Sequence, residues 1–105
     1  MKASDKKKLK QLWSDLDDMK GALEPLRDEL DRIKGEIETM RDEMSEHFEN
    51  RSEKWQESDA GQEYEGRKEM VDGAADTLDS CFSSLESCIS EMDDAMNSID
   101  EASGE

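Results

Sequence analysis

Two runs of apolar residues, each stepping alternately by three and four, constrain this chain more than any other feature. The first reads Leu9, Leu12, Leu16, Met19, Leu23, Leu26, Leu30, Ile33, Ile37, Met40 and Met44. In heptad terms, position a falls at 9, 16, 23, 30, 37 and 44, and position d at 12, 19, 26, 33 and 40. The second run reads Val71, Ala75, Leu78, Phe82, Leu85, Ile89, Met92, Met96 and Ile99, with a at 75, 82, 89 and 96. A disordered segment has no reason to hold such a register. Both runs therefore predict helices, each with the narrow apolar seam of a coiled coil instead of a broad globular face. The expected fold class is all-α, an antiparallel two-helix coiled-coil hairpin forming one domain over residues 1–105.

Composition agrees with a thin structure. Of 105 residues, 42% are charged and 32% apolar, too few apolar side chains for a layered core. A net charge of −16 argues against direct contact with nucleic acid or an anionic membrane. No apolar run is long enough to span a bilayer. The basic N-terminal stretch (Lys2, Lys6, Lys7, Lys8, Lys10) has no apolar segment behind it, so no signal peptide is expected and the cytoplasm is the expected compartment.

Element boundaries follow from caps. Asp59 with Gln62 fits a capping box that opens the second helix, and Ser58 competes for the cap one residue earlier. The expectation is a first helix over about 4–56, a turn at about 57–61, a second helix over about 60–102 and a short flexible tail. So short a turn makes the two helices antiparallel neighbours. Pro25 sits at position c, and the carbonyl that its ring would meet, on Gly21, also lies on the solvent side. A kinked but continuous helix is expected there.

The charges flanking the seam test the orientation independently. Position e carries Lys20, Arg27, Lys34 and Arg41 in the first helix, and Asp72, Asp79, Glu86, Asp93 and Asp100 in the second. Antiparallel pairing sets e against e′, base against acid. A parallel pair would instead set Asp15, Glu29, Glu36 and Glu43, at position g, against that same acidic row. The expected layers join Met44 to Val71, Ile33 to Phe82 and Leu16 to Ile99.

No constellation for catalysis, cofactor binding or metal binding emerges, so the chain is not expected to be an enzyme. His47 is the one histidine, at a d position, and its neighbours Glu43 and Glu46 do not complete a metal site. The carboxylates lie on a thin helix pair with no pocket to desolvate an acid, and they form no calcium loop. Cys81 and Cys88 are one heptad apart, about 10.5 Å on one helix, too far for a mutual disulfide. They read as free thiols serving as small apolar residues, with an interchain bridge as the alternative. With Ala74 and Ala95 they form a small-residue row at position g. That row either admits close approach of the first helix or, with Trp13 at position e, forms a seam for a second copy, giving a four-helix bundle.

The segment Phe48-Glu49-Asn50-Arg51-Ser52-Glu53-Lys54-Trp55-Gln56-Glu57-Ser58-Asp59-Ala60-Gly61-Gln62-Glu63-Tyr64 resembles the ERSEKWQES-x-x-G-x-x-Y element of small acidic proteins encoded by bacteriophages and phage-derived islands. The resemblance implies a phage-encoded accessory protein in a host bacterium, a group that includes inhibitors of host defence enzymes; it carries over no functional residue. Phe48, Trp55 and Tyr64 surround the expected turn, where they either staple the end of the hairpin or form a contact tip. A likeness to small secreted helical hairpins with a Trp-x-Gly turn fails, because Glu57 stands two residues after Trp55.

Charge is divided unevenly. Residues 1–55 carry 15 acids and 12 bases, whereas residues 56–105 carry 15 acids and only two bases, Arg67 and Lys68. Asp76, Glu91, Asp94 and Glu101, with Asp93 and Asp100, line the second helix away from its apolar row. The expected function is non-enzymatic binding of a protein with a basic surface, including a nucleic-acid-binding surface on which an acidic helix would stand in for the nucleic acid. The alternative is a coiled-coil assembly module that binds through its aromatic tip or small-residue seam.

Overall fold

The computed structural model describes residues 2–104. The chain is all-α, with no strand among the described residues: α1 (Ala3–Glu49), α2 (Glu53–Glu57) and α3 (Asp59–Ser103). Two long helices are thus joined by a short connection that holds one further turn of helix. α1 runs unbroken through Pro25, which is exposed, and there is open space beside Gly21. At position c the proline ring meets solvent instead of a neighbour, so its cost falls on one backbone hydrogen bond and not on packing.

The first helix ends earlier than the expected mid-fifties. It stops at Glu49, where the Asn50 N–H still donates to Glu46 O and the Arg51 N–H tightens onto Phe48 O at 3.2 Å. Ser52 then caps a new helix, its hydroxyl accepting from the Trp55 N–H at 3.2 Å. The Gln56 side chain donates to Phe48 O at 2.8 Å, a second bond to that carbonyl, and to Arg51 O at 3.1 Å, tying α2 back to the end of α1. The turn expected at 57–61 contracts to a single residue, Ser58. Its N–H donates to Trp55 O, ending α2, and its hydroxyl accepts from the Gly61 N–H at 3.1 Å, starting α3. Ser58 therefore takes the cap expected of Asp59, and Gln62 donates to Gln56 O instead of closing a capping box. Past residue 102, α3 reaches Ser103, which is buried, and the Gly104 N–H donates to Asp100 O at 3.0 Å. Of the expected flexible tail, Glu105 lies outside the described residues.

The chain divides into two compact units, Leu30–Phe82 and the remainder, which joins residues up to Glu29 with those from Ser83 onward. In the Leu30–Phe82 unit, Lys34 of α1 pairs with Asp79 of α3 at 3.4 Å and lies 5.3 Å from the Phe82 ring centre. In the other unit, Lys20 pairs with Asp93 at 2.6 Å. These are two of the four expected e–e′ pairs. Arg27 and Arg41 turn instead to Asp28 and Asp42 on their own helix.

The apolar seam of α1 differs from the heptad expectation. Its a residues are half-buried, but its d residues are exposed: Leu12 42%, Met19 56%, Leu26 59%, Ile33 38% and Met40 51%. The e residues Lys20, Arg27, Lys34 and Arg41 are half-buried in their place. The lysine pairs draw the e edge of α1 toward α3, and the long aliphatic stems at e then cover apolar surface that the d side chains would otherwise cover. α3 keeps both rows, its core formed by Ala75 (2% exposed), Ile89 (6%) and Met96 (5%).

Candidate protein-interaction surface

On α3 the four acids Asp76, Glu91, Asp94 and Glu101 are all exposed. Asp93, expected beside them, is half-buried and committed to Lys20; Asp100 is exposed and shares a groove with Lys10, Trp13 and Ser103. The candidate acidic surface therefore loses Asp93 to the internal pairing and keeps the other members as solvated charges.

The ion pairs leave a mark on the lysines. The hydrogen bond to Asp93 holds the Lys20 ammonium above its ordinary value of 10.5, more than offsetting a smaller lowering by burial. At Lys34 burial pushes the value down, and the Glu38 and Asp79 carboxylates together outweigh it, so Lys34 also stands above 10.5. A group raised on folding stabilises fully below its unfolded value and loses that contribution as pH rises through the folded one. Lys34→Glu should accordingly lower the melting temperature by a few degrees at low salt, and adding Asp79→Lys should restore it. In the unmodified chain the benefit of this pair should fade only above pH 10.5. Equal melting temperatures for the single and double variants would dissolve the pairing.

The aromatic residues build the corner between α1 and α3. Trp55 stands edge-on to His47 (6.0 Å between ring centres), Phe48 (5.9 Å) and Tyr64 (5.8 Å), and His47 lies 5.1 Å from Tyr64. Arg51 covers the Trp55 ring at 4.2 Å. Phe48, Trp55 and Tyr64 are each half-buried in this cluster. Gly61 is buried because the corner closes on it: a Cβ there would lie 2.0 Å from Trp55 O and 2.8 Å from Gln56 Cα. Its φ is not positive, so the requirement is for space and not for a left-handed backbone. Trp55, Gln56, Ser58, Gly61 and Tyr64 of the W-Q-E-S-x-x-G-x-x-Y element thus each have a structural task. The spacing of the two serines was the available signal for the extra helix turn; nothing in the pattern announced the carbonyl cap by Gln56.

The small g row is exposed throughout at Ala74, Cys81, Cys88 and Ala95, and both cysteines are free thiols. Trp13 is 37% exposed. Among the described residues, no group of three His, Cys, Asp or Glu side chains is placed to hold a metal ion, and no helix is long and apolar enough to cross a membrane. No family model, curated protein or solved structure matches the chain.

Proposed function

We propose that the chain is an antiparallel coiled-coil hairpin that binds a protein partner, seating the exposed acids of α3 on a basic surface. The hairpin rests on contacts whose α3 partner moves back along the chain as α1 advances: Lys20 with Asp93, Lys34 with Asp79, His47 with Tyr64. The observation that carries the binding role is the charge division. Residues 56–105 hold a net −13 of the total −16, and the Lys20 and Lys34 contacts neutralise only two of those acids. α3 has no base in its last turn, where Asp100 and Glu101 face the negative end of the helix dipole. A cationic partner relieves both repulsions at once.

The likeness of residues 48–64 to phage-encoded acidic proteins supports the same setting. The partner there is a host protein with a basic groove, such as a defence enzyme that handles nucleic acid, and the hairpin is its inhibitor. The aromatic tip is the weaker contact candidate, since its rings are already engaged in the corner.

The experiment is affinity capture from host lysate with the unmodified chain and with a protein carrying Asp76→Ser, Glu91→Ser, Asp94→Ser and Glu101→Ser. The four acids are exposed and outside the seam, so circular dichroism should stay helical while the captured partner is lost. Full capture by the four-serine protein would exclude the acidic surface.

A further inference from the structure

The exposed d row of α1 is a larger anomaly than any groove or charge cluster in the molecule. Large apolar side chains that repeat every heptad on one helix, each 38–59% exposed, form a stripe that a single copy leaves open. Two grooves in the surface confirm that α1 is uncovered on this side. One is lined by Arg32, Gly35, Glu36, Thr39, Met40 and Glu43, and the other by Asp5, Lys8, Leu9 and Leu12; both are walled by α1 alone.

α3 offers the complementary surface. Within each unit an ion pair, Lys20–Asp93 in one and Lys34–Asp79 in the other, sets the e positions of both helices on one edge. Position d of α1 and position g of α3 fall on the opposite edge, since both lie across a from e. Position g of α3 is Ala74, Cys81, Cys88, Ala95 and Ala102, all exposed. Beside it, position c carries Thr77, Ser84 and Ser98, together with Met70, which is 76% exposed. In a chain with 42% charged residues, this strip is interrupted by one charge, Glu91. Each unit holds its own share: Leu12, Met19 and Leu26 beside Cys88 and Ala95 in one, Ile33 and Met40 beside Ala74 and Cys81 in the other.

We propose that the chain is a homodimer in which the d row of α1 in each copy packs on the small, uncharged strip of α3 in the other. Large side chains against small ones interdigitate without overpacking. Stacking α1 on α1 would instead bring together the acids Asp15, Glu36 and Glu43 that flank the d row, so the α1–α3 arrangement is favoured electrostatically. The contact is reciprocal, as two-fold symmetry requires. This pairing takes Glu91, at position c, into the dimer contact and leaves Asp76, Asp94 and Glu101 at the outer positions b and f, free for another protein; it stands whether or not those acids bind one.

Sedimentation equilibrium of the full chain over roughly 1–100 μM, a range set by ordinary interface affinities, should give twice the 12.0 kDa mass. Met19→Glu combined with Leu26→Glu should give the single-chain mass with helical circular dichroism intact. Thiol-reagent kinetics supply the second readout: Cys81 and Cys88 should react at least about tenfold more slowly in the unmodified dimer than in denaturant, by exclusion at the interface. A single-chain mass for the unmodified protein throughout, a mass other than twofold, or an unchanged dimer in the double variant would overturn the proposal. So would a dimer whose thiols react as fast as those of unfolded chain. If the double variant fails to fold, the unmodified chain's mass and thiol kinetics decide.

Discussion

Ile89→Ala should destabilise the chain by about 2–4 kcal/mol, measured as the shift in the urea midpoint at constant slope. Ile89 is 6% exposed, and among the described residues the other buried apolar side chains are Ala75 and Met96. With so few buried side chains, one truncation removes a large share of a total that is about 5–15 kcal/mol for small domains. Leu26→Ala provides the contrast. It is an equally regular member of the heptad pattern, but its side chain is 59% exposed in one copy. In the dilute limit the change should cost under about 1 kcal/mol, as exposed substitutions do. The proposed dimer predicts that this cost grows with concentration, as burial by a second copy would require. Equal losses for Ile89→Ala and Leu26→Ala at high dilution would contradict the placement of α1.

Gly61→Ala should be comparably damaging, at about 3 kcal/mol, the upper part of the range for overpacked sites. The added methyl would meet the backbone of Trp55 and Gln56, which cannot swing aside as a flexible side chain could. The corner would have to open, separating Trp55 from Tyr64, now 5.8 Å apart, and releasing the Ser58 cap. In a Trp13→Phe background, Trp55 fluorescence should shift toward that of a solvated indole, and the melting temperature should fall. A Gly61→Ala protein with unaltered emission and melting would show that the corner is not closed around this residue.

The sequence exposed the helices more clearly than their ends or their rotation. Heptad phase alone carried α1 through Pro25, because a proline at position c does not interrupt the apolar row. The start of α3 was legible to within one residue, since Ser58 and Asp59 both cap well and differ only in which hydrogen bond wins. The end of α1 was hidden for a physical reason. The apolar repeat stops at Met44, and residues 48–57 are permissive in a helix, so the one local mark of a break is Ser52, a cap residue that also sits in helices. The break is decided by Ser52 and by Gln56 reaching back eight residues to Phe48, a contact that exists only after folding. The exposed d row was hidden more deeply. A heptad states that a and d are apolar, but it does not state how many helices share them. With Lys20 and Lys34 paired to α3, position e is half-buried and the d row of a single copy is exposed.

For the acidic residues, the sequence showed the asymmetry and the structure sorted it. Asp93 and Asp79 serve the pairing with α1, whereas Asp76, Glu91, Asp94 and Glu101 remain exposed. That separation makes the proposed binding surface testable without disturbing the fold.

The most direct test of the acidic surface is the salt dependence of affinity for the captured partner, measured for the unmodified and four-serine proteins. Charges seated on a basic surface are screened as the Debye length falls from about 10 Å at 0.1 M salt to 3 Å at 1 M. The affinity of the unmodified chain should drop at least about tenfold between 0.1 and 0.5 M salt, while the four-serine protein binds weakly at both. Equal affinity for the two proteins, or an affinity that does not change with salt, would contradict the account.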